Sequence, residues 1–272
     1  MAELGRRTVL GAAAALAAGA AVLAEGGVRR AHAADDLYPS NSALYADPAV
    51  VEGVDYGLRF RRHAVAGDSV AGAYAFPATC VLAPHGGGIE PGTSELCLAV
   101  AGYHPNDFAV SGPVYDYWMF EGLRSSGNGE LHVTSTHCDD PVARSLAGGS
   151  RNALTLHGCT ASQAGAPAGS PEAVVVGGRN QAFKGHLTDR LGAAGFRTVD
   201  GDDVPALAGV HPDNIANRTL LGAGAQLELT TELRKSMFGV NTRAERRRTL
   251  LAPFWAFVGA VRESIVLLEQ GR

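Results

Sequence analysis

Short runs of apolar and β-branched residues recur along the chain, separated by glycine- and asparagine-bearing turns and by stretches of helical period. Residues 81–83, 114–120, 131–134, 153–156, 172–176, 196–199 and 226–229 read as strands, and 93–103, 140–146 and 180–194 as helices. The clearest helix closes the chain. Leu250, Leu251, Phe254, Val258, Val261, Ile265 and Leu268 recur every three or four residues, which gives one apolar face for core packing. Thr242 and Glu245 have capping-box spacing at its start, and Pro253 lacks a backbone donor, so it should kink or restart the helix. Residues 34–50 are polar and turn-rich, as expected of a surface arm. Strands interleaved with helices, without an internal repeat or a long linker, predict an α/β protein built as a three-layer α/β/α sandwich.

The first residues follow a different pattern. Arg6 and Arg7 precede an alanine-rich apolar run over residues 9–24, and Ala31-His32-Ala33 supplies a small-x-small cleavage signal. This is the form of a twin-arginine signal peptide; the run is too short and alanine-rich for a comfortable transmembrane helix. The expected organisation is an export peptide over 1–33, cleaved after Ala33, and one catalytic domain over 34–272. Its expected partner in the cell is the twin-arginine export machinery, its location extracellular, and no stable membrane association follows cleavage. That pathway carries folded proteins, often with a cofactor, so the leader hints at a metal.

Composition narrows the function classes. The 272 residues carry 23 basic and 27 acidic side chains, a formal charge of -4. Without residues 1–33 the balance is 19 against 25, or -6, which argues against a nucleic-acid partner. Cys80, Cys97, Cys138 and Cys159 include no C-x-x-C pair, which argues against a structural zinc knuckle. An oxidising destination permits disulfides, with three connectivities open.

Candidate chemistry concentrates in Pro84-His-Gly-Gly-Gly-Ile-Glu90, between a predicted strand and a predicted helix, where open α/β sheets place their sites. Imidazole and carboxylate are ordinary zinc ligands, and three protein ligands leave a position for water. His157, closing an apolar run before Gly158, is the candidate third ligand, with His132, His137, His186 and His211 as rivals. The same glycine run occurs in the oxyanion loop of α/β-hydrolases, but no G-x-S-x-G elbow follows His85; a phosphate loop lacks its lysine and its G-x-G-x-x-G frame. Glu228 alternates with Leu227 and Leu229, so it is either a base facing the site or part of a solvated strand face. Asn214-Ile-Ala-Asn217-Arg218 sets two amides beside an arginine, either a carboxylate-binding group or a capped turn.

With these stretches in order, joined by Gly92-Thr-Ser-Glu95, Phe120-Glu-Gly122, Leu131-His-Val-Thr-Ser135, Leu156-His-Gly158, Val176-Gly-Gly178 and Gln226-Leu-Glu-Leu229, the chain resembles the poly-γ-glutamate hydrolase family. The resemblance implies a carboxypeptidase-like fold with a mixed central sheet and one zinc ion held by His85, Glu90 and His157. It also implies Glu228 as catalytic base and endo-type cleavage of γ-linked glutamate. Arg179 and Arg218 are the candidates for holding the oxyanion, and Asn214, Asn217 and Arg218 for binding substrate carboxylate. The first two ligands are spaced H-x-x-x-x-E rather than the H-x-x-E of carboxypeptidases, so exopeptidase specificity does not carry over. The competing readings are a zinc amidase acting on peptidoglycan stem peptides and a non-catalytic protein that binds an anionic polymer.

Overall fold

A computed structural model describes residues 36–63 and 78–271. The expected leader and its cleavage site lie outside the described residues. Seven strands, β1 (Tyr56–Arg61), β2 (Thr79–Gly87), β3 (Asp116–Gly122), β4 (Asn152–Cys159), β5 (Val174–Gly178), β6 (Thr198–Asp200) and β7 (Ala225–Thr230), form one sheet in the order β1-β3-β2-β4-β7-β5-β6. Strands β3, β2, β4 and β7 run parallel. β1 is antiparallel to β3, β5 is antiparallel to β7, and β6 is parallel to β5, so the sheet is mixed.

The helices are α1 (Asn41–Tyr45), α2 (Thr93–Val100), α3 (Pro141–Gly149), α4 (Gln181–Ala193), α5 (Thr231–Ser236) and α6 (Ala252–Gln270). Side-chain alternation along the strands builds two cores. Leu154, Leu156, Leu227 and Leu229 meet Leu96, Phe183, Leu187, Phe254 and Phe257 of α2, α4 and α6 on one face. Leu82, Trp118 and Phe120 meet Leu44, Ala143 and Leu146 of α1 and α3 on the other. Each fully buried leucine or phenylalanine contributes roughly 1.5–3 kcal/mol, and the three expected layers follow from these two faces. Among the described residues no helix is long and apolar enough to cross a membrane.

Four local expectations change. Residues 131–134 are not a strand; Asn128–Leu131 is a 3-10 turn, and the chain beyond it is held by side chains described below. The last helix begins at Ala252, with Pro253 in its first turn, where a missing donor costs nothing. Thr242 and Glu245 instead close a separate turn, the Thr242 carbonyl accepting from the Glu245 and Arg246 amides. The described part of the arm, 36–50, is anchored, since Leu44 is fully buried. β1 escaped notice because Arg59 and Arg61 flank Phe60 in it, a pattern suited to an edge strand.

All four cysteines are free and buried. Burial pushes the thiols of Cys80 and Cys138 up to about 12. The disulfides that export would permit are not formed.

Candidate metal centre

Strand β2 has β3 on one side and β4 on the other, so the loops leaving β2 and β4 open a crevice at the C-terminal edge of the sheet. Two local features turn His85 into it. Pairing with β3 steps from Ala83↔Met119 to Gly86↔Glu121, three residues against two, and this bulge at Pro84-His85 re-aims the strand end. Gly87 then adopts φ +67°, and a Cβ there would lie 2.4 Å from the Gly122 carbonyl oxygen, so only glycine fits.

His85, Glu90 and His157 offer ligand atoms that all lie within 4.8 Å of one another. His85 Nδ1 is 3.0 Å from Glu90 Oε1 and 3.1 Å from His157 Nδ1. Glu90 Oε2 lies 3.7 Å from His157 Nδ1 and accepts the Gly158 amide at 2.7 Å. Burial raises the pKa of the Glu90 carboxyl, but the flanking His85 and His157 more than offset this and hold it below the usual carboxylate range. His85 Nε2 donates to the Val133 carbonyl at 2.9 Å. In a neutral ring with its proton on Nε2, Nδ1 is an acceptor facing a carboxylate oxygen, an arrangement that a bound cation would satisfy. The donor set therefore fits a divalent metal of zinc type.

A second tier orients these ligands. Residues 132–135 reach both histidines, through the Val133 carbonyl and through Ser135 Oγ, 3.1 Å from His157 Nε2. Asp36 holds this segment with both carboxylate oxygens. Oδ1 accepts from His132 Nδ1 at 2.7 Å, and Oδ2 accepts from the Thr134 amide at 2.6 Å. The His132 ring packs on His85 with centroids 3.8 Å apart, and its Nε2 is 4.0 Å from Glu90 Oε1. Such outer partners fix ring orientation and tautomer. Of the rival histidines, His132 is thus a neighbour outside the ligand cluster. His137 and His211 are largely exposed, and His186 sits on α4.

Glu228 lies directly across from His157 in the β4–β7 register. It is buried beside the cluster, so the solvated-face reading is excluded. Burial, reinforced by the charge of Glu90, raises its pKa well above the ordinary glutamate value; Arg234 and a hydrogen bond from Gln226 act in the opposite sense. Gln226 Nε2 donates to Glu228 Oε1 at 2.9 Å, and Gln226 Oε1 accepts from Asn214 Nδ2 at 2.8 Å.

The structure does not bring the remaining candidates to the centre. Arg179 follows β5 beside Gly224, at the N-terminal edge of β7, about 13 Å along the strand from Glu228. Arg218 shares that edge and spends its guanidinium on Asp213, 2.6 Å away. Asn217 brackets the same loop, donating to the Gly209 and His211 carbonyls and accepting from the Gly224 amide. Asn214 acts only through Gln226. Asn214, Asn217 and Arg218 lie on the connection entering β7 and Arg179 on the one leaving β5, at the edge of the sheet opposite the C-terminal ends of β2 and β4.

Sequence reasoning missed Arg234. Its guanidinium is buried against Gly158, where a Cβ would stand 2.5 Å from Cζ. It donates to the Leu229 and Pro91 carbonyls and to Thr231 Oγ1. Nothing in the local pattern of α5 marks it, because two of its three acceptors, Pro91 and Leu229, lie outside the helix.

The model of the family described as poly-gamma-glutamate hydrolase matches residues 76–260. The UPF0714 protein YndL of Bacillus subtilis (strain 168) is 37% identical over 177 residues, covering 65% of this chain and 63% of that protein. The SPbeta prophage-derived UPF0714 protein YoqZ of the same organism is 35% identical over 185 residues, covering 68% and 61%. The chain thus matches less than two thirds of the length of these relatives. The structure of a bacteriophage poly-γ-glutamate hydrolase aligns with a TM-score of 0.71 and 28% identity, covering 87% of this chain and 100% of that one. A zinc-free structure of YndL aligns with a TM-score of 0.64 and 34% identity, covering 83% and 95%.

Proposed function

The chain belongs to the poly-γ-glutamate hydrolase family, and from this premise we propose that it is an exported, zinc-dependent hydrolase of γ-glutamyl amide bonds, with poly-γ-glutamate as its substrate. The observation that carries the reading is the convergence of two imidazole Nδ1 atoms and the Glu90 carboxylate, with Glu228 alongside on the neighbouring strand.

His85, Glu90 and His157 would hold the ion, which when bound supplies Lewis acidity and a more acidic water. The chain's own residues do the rest. Glu228 accepts a proton from the attacking water as its oxygen bonds to the amide carbon, then returns that proton to the nitrogen as the C–N bond breaks. One water is consumed, and a carboxylate and an amine are released. A raised pKa suits a group that must take and give back a proton near neutrality. Gln226 and Asn214 hold the carboxylate in place, while residues 132–135 keep both imidazoles turned inward.

Incubation of the purified mature protein with poly-γ-glutamate and with peptidoglycan, each with and without chelator, tests the reading through product length. Chelator-sensitive shortening of poly-γ-glutamate supports it. Cleavage of peptidoglycan alone would move the substrate to stem peptides, and binding without cleavage of either would make the protein a polymer binder. Export rests on Arg6-Arg7, the apolar run and Ala31-His-Ala33. N-terminal sequencing of the secreted protein should begin at Ala34.

A further inference from the structure

With Arg179 and Arg218 at the far edge of the sheet, a polyanion needs other cations near the site. The segment over 231–250 packs onto the ligand loop at three points. Arg234 Nη1 donates to the Pro91 carbonyl at 2.8 Å, and Arg246 Nη2 donates to the Gly87 carbonyl at 2.9 Å. The Phe238 ring closes on Gly92, where a Cβ would stand 3.0 Å from it. Arg246 is buried and also pairs with Glu95 at 3.0 Å, so the segment is clasped to the loop that carries His85 and Glu90.

This segment contains six basic residues and two acidic ones, Glu232 and Glu245, in a chain whose total charge is -4. Arg234 and Arg246 are consumed by the clasp, and Arg248 pairs with Glu245. Lys235, Arg243 and Arg247 are exposed, with no carboxylate at ion-pair distance among the described residues. Unpaired exposed cations retain their charge for a ligand, and arginine in particular binds carboxylates through two parallel hydrogen bonds.

We infer that the 235–247 rim is the surface on which an anionic γ-glutamyl chain lies, its free carboxylates meeting Lys235, Arg243 and Arg247 beyond the scissile bond. The inference rests on the hydrolase reading above and specifies how the substrate is caught. A γ-linked chain keeps one free carboxylate per residue, so it presents a row of charges. The protein's overall negative charge opposes encounter, and a local positive rim on the segment clasped to the ligand loop reverses this at short range. Fixing the rim to the ligand loop holds the charges in register with the site.

The test uses the zinc-loaded Glu228→Gln protein and fluorescently labelled poly-γ-glutamate in long and short preparations, at low and high salt. Arg243→Ala/Arg247→Ala in that background should weaken binding of the long chain about tenfold at low salt and flatten its salt dependence, with a smaller loss for the short chain. Arg144→Ala/Arg197→Ala, exposed arginines whose removal changes net charge equally, should bind close to the parent. Equal losses in both pairs, no loss in the rim pair, or no binding by the parent would overturn the inference. Zinc content and thermal melting of each variant establish that it is folded. The two readings separate cleanly. If the unsubstituted protein cleaves polymer while the rim pair binds normally, the rim falls and the hydrolase stands. Rim-dependent binding without chelator-sensitive cleavage has the reverse meaning.

Discussion

Gln226 and Glu228 stand two residues apart on one face of β7 and share a hydrogen bond of 2.9 Å, while Asn214 fixes the other end of the Gln226 amide. The carboxylate thus faces the centre with one oxygen already engaged. Gln226→Leu should lower kcat about tenfold or more with a smaller change in KM. Because the lost bond lowers the Glu228 pKa, the ascending limb of the pH–rate profile should also move to higher pH. A profile that falls in height without shifting would assign Gln226 to packing alone.

Glu228→Gln should retain zinc and abolish turnover. It should also stabilise the metal-free protein at neutral pH by about 1 kcal/mol, or about 2–4 °C in Tm. A carboxyl whose folded pKa is raised contributes stability below its unfolded value and loses it as pH rises through the folded one. Glutamine removes that loss, so the gain should shrink as pH falls below the ordinary glutamate range. Melting curves across pH, with chelator present, check the sign.

Zinc bound only by the folded chain adds stability by mass action, about 4 kcal/mol at a thousandfold excess over Kd. Chelation should lower Tm accordingly. His85→Ala should remove both the ion, by metal analysis, and the sensitivity of its melting to added zinc.

Asp36 accepts from His132 and from the Thr134 amide, bonds that outweigh its burial and depress its pKa. A depressed carboxyl stabilises the fold at pH above its unfolded value, and the contribution is lost as pH falls through the folded one. Asp36→Asn offers one acceptor where two are needed and turns an amide toward a donor. The variant should therefore be less stable than the wild type at neutral pH, by a margin that shrinks below about pH 4, and should release zinc faster to chelator at neutral pH. Unchanged zinc release would confine Asp36 to the arm.

Gly158→Ala should cost about 1–3 kcal/mol, because the new methyl meets the Arg234 guanidinium, which is buried and held by three acceptors and so cannot move aside freely. Chemical denaturation measures the loss. A neutral result would mean that Arg234 can leave its three acceptors without consequence.

The parts of this molecule that were legible in the sequence are those where local pattern and chemistry coincide. The glycine run after His85 announces a strand-to-loop transition that only glycine can make, and the strict alternation around Glu228 places it opposite the leucines of the core. What failed were roles set by distant partners. Asn217 and Arg218 look like a carboxylate grip because of their residue types, yet their hydrogen bonds close their own loop. Asp36 sits in a polar arm with no apolar period, and its importance comes from residues almost a hundred positions later. Thr242 and Glu245 have a helix-capping pattern, but Pro253 sets the helix start and leaves them to make a separate turn.

The four thiols are free and buried on the two faces of the sheet, Cys80 and Cys138 within one core cluster, so the fold closes without a single covalent crosslink. Its assembly is therefore indifferent to redox conditions, and the same native state is available in a reducing cytosol and in an oxidising medium. Reductant should change neither its melting nor its metal content, which sets this domain apart from secreted proteins whose folding must wait for oxidation.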